Sequence, residues 1–214
     1  MKNLFTSLAA LWLCLAVSSS FAQTSKGTFL LGGALGFSSG HTNTAYNYSA
    51  TSRKEKQSTI GIDPNVSYFV IDHLSVGLVT PLTYMWSKLD GADQKTTYTS
   101  YSVGPLIRYY FPLGSQWAIF PEASYSYGWT VTRGYSYLSG GDRVPVTYRG
   151  NTRNLQGGLG LVYFLNPNIG VEGKFRYQSM RDTYNRTDVG LDHSDNNAFD
   201  FTIGLQVYLS RNTQ

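Results

Sequence analysis

The sequence predicts an all-β fold: an eight-stranded antiparallel up-and-down transmembrane barrel, with short turns at one end and long loops at the other. Three observations lead there. Apolar residues alternate with small or polar ones along about eight segments. Nothing after the N-terminal leader approaches the roughly 18 apolar residues of a membrane helix. The connections alternate between tight turns and long polar stretches. The alternation is clearest over Gln57–Val70, where Ile60, Ile62, Pro64, Val66, Tyr68 and Val70 interleave with Thr59, Gly61, Asp63, Asn65, Ser67 and Phe69. A period of two gives a strand one apolar and one polar face. Only alternate residues of such a strand meet lipid, so its mean hydropathy stays near neutral, and a content of only 14% charged residues suits it.

Residues 1–22 read as a cleaved signal peptide. Lys2 supplies the positive start, Leu4–Val17 is an apolar run interrupted by Thr6 and Ser7, and Ser20-Phe21-Ala22 is a small-x-small cleavage site. Cys14, the single cysteine, lies in this leader after Leu11-Trp12-Leu13, with no small residue before it to suit lipid attachment. The mature chain, residues 23–214, therefore has no disulfide, cysteine nucleophile or thiolate metal site, and is expected to be one barrel domain.

Eight strands are expected over residues 28–40, 57–70, 74–87, 96–111, 117–132, 152–164, 169–180 and 198–209. Ile71-Asp72-His73, residues 112–116 and residues 165–168 are the tight turns, placed in the periplasm. Residues 41–56, 88–95, 133–151 and 181–197 are the long external loops, rich in Asn, Asp, Ser, Thr, Gly and Tyr. An even strand count beginning and ending on the turn side leaves both termini periplasmic. Pro64, Pro81, Pro105 and Pro121 fall inside strands, where a residue without an N–H calls for bulges. Tyr68-Phe69, Tyr110-Phe111 and Tyr163-Phe164 close strands at the turn end. An aromatic girdle is expected there from Tyr68, Tyr109, Trp117 and Tyr163, and a second at the other rim from Tyr84, Trp86, Tyr127 and Trp129.

Phase assigns the faces. Ile107 and Tyr109 oppose Arg108; Ile119, Ala123 and Tyr125 oppose Phe120, Glu122 and Ser124. Ile169, Val171, Phe175 and Tyr177 oppose Gly170, Glu172, Lys174 and Arg176, and Phe199, Phe201, Ile203, Leu205 and Val207 oppose Asp200, Thr202, Gly204 and Gln206. The polar face thus collects Asp63, Glu122, Glu172 and Asp200 with Arg108, Lys174 and Arg176. Ions in a narrow lumen must pair closely or cost several kcal/mol each. Such a network is either a packed polar core or a gate or proton path; eight-stranded barrels are narrow enough to be filled by their own side chains, which favours the core. A soluble calycin would invert the faces, with apolar residues around a greasy ligand. The girdles, the unequal connections and the compensating charges favour polar-inside.

The chain resembles the OmpA/OmpX-like eight-stranded outer membrane protein beta-barrel domain family of Gram-negative bacteria. The likeness is carried by Phe29-Leu30-Leu31-Gly32-Gly33, Asp63-Pro64-Asn65-Val66-Ser67-Tyr68-Phe69, Gly104-Pro105-Leu106-Ile107-Arg108-Tyr109-Tyr110-Phe111 and Asn166-Pro167-Asn168-Ile169-Gly170-Val171-Glu172. The second and third pieces look most like Bacteroidota versions. Thr202–Leu209 is similar to the family's C-terminal signal for the barrel-assembly machinery, with Leu209 where an aromatic usually stands and Ser210–Gln214 following. The tethering role of longer relatives, which carry a peptidoglycan-binding domain, is not implied.

Catalytic chemistry needs a base beside an acid and a nucleophile. His73 falls in a turn and His41 opens a loop; Asp192-His193-Ser194-Asp195 is the one local group with all three functions. Asp188, Asp192, Asp195 and Asn197 could offer hard oxygens to Ca²⁺, but at a spacing that matches no calcium motif, so no metal site and no cofactor is expected. Arg53, Lys54, Lys56, Arg133, Arg143, Arg149 and Arg153 would stand near lipopolysaccharide phosphates or serve as solvated loop charge. They have no nucleic-acid motif around them. Tyr46, Tyr48, Tyr135, Tyr137 and Tyr148 make the loops amphipathic, which suits recognition. The reading is a monomeric, non-enzymatic outer-membrane barrel with a structural or surface-interaction role toward an unknown external ligand. A small-solute channel is the alternative, and a lipid A-modifying enzyme a third.

Overall fold

The computed structural model describes the backbone of residues 22–46, 49–89, 95–137, 143–184 and 193–210, and the side chains of 23–40, 56–88, 95–135, 144–184 and 193–210. Eight strands run in chain order: β1 (Phe29–Tyr46), β2 (Ser49–Ile71), β3 in two parts (Leu74–Val79 and Leu82–Leu89), β4 (Lys95–Tyr109, with Phe111–Pro112), β5 (Trp117–Tyr137), β6 (Arg143–Asn166), β7 (Ile169–Tyr184) and β8 (His193–Leu209). Each pairs antiparallel with its neighbours in sequence. The ring closes where β1 meets β8, from Phe29↔Leu209 to Leu35↔Ile203. The result is an eight-stranded up-and-down barrel without an open edge, as membrane burial of a sheet requires.

The register fixes the barrel's stagger. A line of paired residues from Leu35 passes through Ile62, Leu82, Tyr101, Trp129, Asn151 and Thr183 to His193. Leu35's own partner on β8 is Ile203, ten residues farther along that strand. For eight strands this shear tilts them by about 40° and sets a backbone radius of about 8 Å. A tube of that bore is closed or opened by side chains alone.

Two expectations need correction. The strands continue well into the stretches read as loops: β1 and β2 stay paired to Tyr46↔Ser49, and β5 and β6 to Tyr137↔Arg143. Above the membrane both faces of a strand are wet, so these extensions carry Ser, Thr, Asn and Tyr without the apolar alternation that reveals a half-buried strand. The prolines also produce no bulges. Among the described residues, register shifts occur only at Ala45/Tyr46, Phe69/Ile71 and Phe164/Asn166. Pro64 and Pro121 sit in uninterrupted ladders opposite Gly33 and Leu159, and β3 instead breaks at Thr80-Pro81. Pro64 accepts from Thr80 N–H at 2.9 Å and Pro81 from Ser102 N–H at 3.1 Å, so each proline keeps its acceptor and loses one ladder donor.

At the turn end the β2–β3 connection places His73 at φ 68, the left-handed region. His73 N–H donates to Thr24 O at 2.7 Å, its Nδ1 lies 2.8 Å from Thr24 Oγ1, and its carbonyl accepts from Tyr110 N–H at 2.8 Å. The chain before β1 is thereby stitched under the barrel rather than left in solvent.

Candidate functional site

Alternation puts Arg108, Glu122, Glu172, Lys174 and Arg176 inside the ring, and all five are buried. Arg108 and Glu122 are register partners on β4 and β5, whereas Glu172 and Lys174 approach from β7 across the lumen. Arg108 Nε lies 2.8 Å from Glu122 Oε2, with its N–H off that line, so the contact is ionic rather than an aligned hydrogen bond. Arg108 Nη1 reaches Glu172 Oε2 at 3.3 Å. Lys174 Nζ bridges the same two carboxylates, 3.1 Å from Glu122 Oε1 and 3.5 Å from Glu172 Oε1. Gln206 Nε2 donates to Glu172 Oε1 at 2.9 Å. Two acids and two bases thus close a four-membered ring of charge.

Directly above, Arg176 grips two acids. Its Nη1 donates to Asp63 Oδ2 at 2.6 Å, while Nε and Nη2 take both oxygens of its register partner Asp200 at 3.0 and 2.9 Å. Gln156 Oε1 accepts from Arg176 Nη1 at 3.4 Å and from Ser124 Oγ at 3.3 Å. The fork geometry explains why this position holds arginine rather than lysine. All seven ionic residues therefore meet in two stacked clusters.

Below the charges the lumen is apolar. Leu30, Phe69, Tyr110, Ala118, Phe120, Val162, Phe164 and Tyr208 form one buried cluster. Phe120 packs 5.0 Å from Tyr110 and lies under the Arg108 guanidinium at 5.2 Å; Phe164 and Tyr208 are 5.3 Å apart, edge to face. Sequence reasoning missed this floor although its signal was present. In each aromatic doublet at the turn end, neighbouring residues must face opposite ways. Phe69, Tyr110 and Phe164 turn in, while Tyr68, Phe111 and Tyr163 turn out.

Toward the loop end the same wall is lined by short polar residues: Ser100, Ser102, Ser126, Thr130, Thr152 and Asn154. Ser102 and Ser126 hydroxyls are 3.0 Å apart, and Tyr98 O–H donates to Asp182 Oδ2 at 2.8 Å. Tyr98 and Asp182 were also missed, because Asp182 stood in a stretch read as loop.

Outside, Leu35, Phe37, Ile62, Leu78, Leu159, Phe175, Ile203 and Leu205 are exposed. At the turn rim Trp117 and Tyr163 pack at 4.6 Å, Tyr68 against Phe29 at 4.9 Å and Tyr109 against Phe111 at 4.8 Å. At the loop rim Tyr84 and Trp86 lie 5.7 Å apart, with Lys95 Nζ 5.0 Å from the Trp86 ring; Trp129 packs on Tyr101 at 5.4 Å and Tyr127 is exposed beside it. Trp117 and Trp129 share one face of β5, which separates the rims by about 30 Å along the barrel axis at this tilt. That matches an apolar band of about 25 Å flanked by aromatic rings.

Lys56, Arg133, Arg149 and Arg153 are exposed on extended strands. Arg53, Lys54 and Arg143 belong to strands through their backbones, paired with Thr44, Asn43 and Tyr137, but their side chains lie outside the described residues. His193 opens β8 opposite Thr183 instead of lying in a loop. His193 and Ser194 are successive strand residues on opposite faces, so they cannot share a hydrogen bond within the strand. His193 Nε2 is 4.0 Å from Asp195 Oδ2, and Arg181 already takes both oxygens of Asp195, at 2.6 and 2.8 Å. Asp188 and Asp192 lie outside the described residues.

The model of the outer membrane protein beta-barrel domain family matches residues 7–207. No curated protein matches the chain. Among solved structures, Neisserial surface protein A is 16% identical, with 85% of this chain and 97% of that one covered and a TM-score of 0.40. The outer membrane protein OprG from Pseudomonas aeruginosa is 15% identical over 88% and 99%, at 0.44. Ail, the attachment invasion locus protein of Yersinia pestis, is 12% identical over 86% and 99%, at 0.40. Likeness at this level says nothing of role.

Proposed function

The chain belongs to the outer membrane protein beta-barrel domain family, whose place is the bacterial outer membrane, and from that membership we propose a non-enzymatic protein that acts through its external face and not through its lumen. One observation carries this reading. The bore is filled across its width by two ionic clusters standing on an aromatic floor. An ion crossing it would have to part pairs whose separation leaves charge uncompensated in a low-dielectric space, a penalty of several kcal/mol per ion. The β1–β2 and β5–β6 hairpins, by contrast, stay paired far beyond the outer aromatic rim. The β5–β6 hairpin rises about 20 Å past Trp129 at the barrel's tilt. It carries Arg133, Tyr135 and Arg149 exposed, the amphipathic chemistry of a recognition surface.

Planar-bilayer recording of the refolded protein tests this reading. It predicts a silent membrane, and brief leak at most when Glu122→Gln loosens the ring. Steady openings by the unaltered protein, with a unit size changed by Glu122→Gln or Arg108→Gln, would establish the channel reading instead. The second arm replaces residues 131–149 by a short turn: loss of surface attachment with the barrel still heat-modifiable on gels supports the external role, and unchanged attachment contradicts it.

A further inference from the structure

A cleft of about 270 Å³ opens on the outer wall where β5, β6, β7 and β8 run side by side, lined by Tyr125, Arg153, Leu155, Ser179, Arg181, Asp195 and Asn197. We propose that this cleft binds the phosphorylated headgroup of an outer-leaflet glycolipid, with Arg153 and Arg181 taking the phosphate. Every lining residue faces away from the lumen, so the site is distinct from the ionic clusters.

Its depth points to a lipid. Arg153 is the register partner of Tyr127, and Asn151 that of Trp129, so the arginine stands within the outer aromatic rim. There a cation sits at headgroup level while the wall below faces acyl chains. Below it Leu155, Tyr125, Tyr177 and Phe199 are exposed, and Tyr177 packs on Phe199 at 5.2 Å. The cleft thus grades from charged to greasy over a few residues of strand, as a lipid does.

Its charge points to an anion. Arg153 and Arg181 are direct cross-strand partners, an arrangement that repels unless an anion joins it. Asp195 answers only one of them: it sits opposite Arg181 and takes its Nε and Nη2 at 2.6 and 2.8 Å. Among the described residues no acid pairs with Arg153. Arg181 keeps Nη1 outside that fork, and a phosphate between the two guanidinium groups would receive charge-assisted bonds from both. Ser179 and Asn197, register partners at the cleft's centre, add a hydroxyl and an amide suited to sugar hydroxyls. The cleft is roomier than a bare phosphate needs, and that favours a saccharide phosphate.

The test uses the full barrel in lipid nanodiscs and reads retention of added lipid A by native mass spectrometry. Three probes are compared: bis-phosphorylated lipid A, enzymatically dephosphorylated lipid A, and inorganic phosphate as competitor. The proposal expects preference for the phosphorylated form, a loss of about tenfold or more in Arg153→Gln, partial recovery in Arg153→Lys, and less than about twofold change in Lys26→Gln, an exposed cation at the turn end. Heat-modifiable mobility confirms that each variant is folded. Equal retention of the two lipid forms, or equal retention by Arg153→Gln and the unaltered protein, overturns the site. Full displacement by millimolar inorganic phosphate overturns the lipid and leaves a free-anion site. None of these outcomes depends on whether the lumen conducts, so failure here and failure of the external-face reading remain distinguishable.

Discussion

The two halves of the lumen share one wall, one bore and one alternation, yet they are filled in opposite ways. On the turn side Phe69, Tyr110, Phe120 and Tyr208 stack under Arg108, Glu122, Glu172 and Lys174, and all eight are buried. On the loop side the inward positions include Ser100, Ser102, Ser126, Thr130 and Thr152, whose short side chains do not reach across a tube of about 8 Å radius, beside the longer Tyr98, which meets Asp182 of β7. A shared scaffold therefore yields a solid plug and a polar vestibule largely by side-chain length. Glycine sharpens the difference: Gly160 leaves the space that the Phe120 ring occupies, and Gly158 leaves room beside Arg176.

The comparison predicts a graded response to substitution. The largest effect is expected from Glu172→Leu, which removes the shared acceptor of Arg108, Lys174 and Gln206 and leaves an uncompensated cation in the plug. It should cost about 3–5 kcal/mol, read as a lower urea midpoint followed by tryptophan fluorescence in micelles; an unchanged midpoint would mean that the ring is not closed. Gly160→Val comes next. Its side chain must compete with Phe120 for the same volume, an overpacking worth about 1–3 kcal/mol in the same assay. The smallest effect belongs to the vestibule. Ser102→Ala deletes one hydroxyl contact of 3.0 Å with Ser126 and should shift stability by about 1 kcal/mol or less. A vestibule substitution as damaging as Glu172→Leu would erase the distinction between the halves.

Much of this was legible in the chain, and the reason is phase. Because side chains alternate strictly, Arg108, Glu122, Glu172, Lys174 and Arg176 could be assigned to one face before any partner was known. Their pairing could not be read. Arg108 meets Glu172 three strands away because of the stagger of ten, and stagger is a property of the closed ring that no single strand encodes. The loop-side strand ends were hidden for a different reason. Ser194, Asp195, Asn196 and Asn197 pair in a ladder with β7 while all four are exposed, and without lipid on one side nothing selects alternation. The aromatic floor was harder to read: Phe69, Tyr110 and Phe164 stand in doublets beside outward aromatics at the strand ends, and only the pleat sends each of them inward.

Cys14 is the single cysteine of the sequence, and with Cys14→Ala as background single spin labels can be placed on either side of β6 and β8. Labels at Leu159 and Ile203, both more than half exposed on the wall, should collide with oxygen dissolved in the bilayer and ignore a water-soluble nickel chelate. Labels at Gln156 and Gln206, which point inward, should be shielded from bilayer oxygen. Oxygen contact at Gln156 and Gln206, with chelate contact at Leu159 and Ile203, would mean the wall is inside out and the account is wrong.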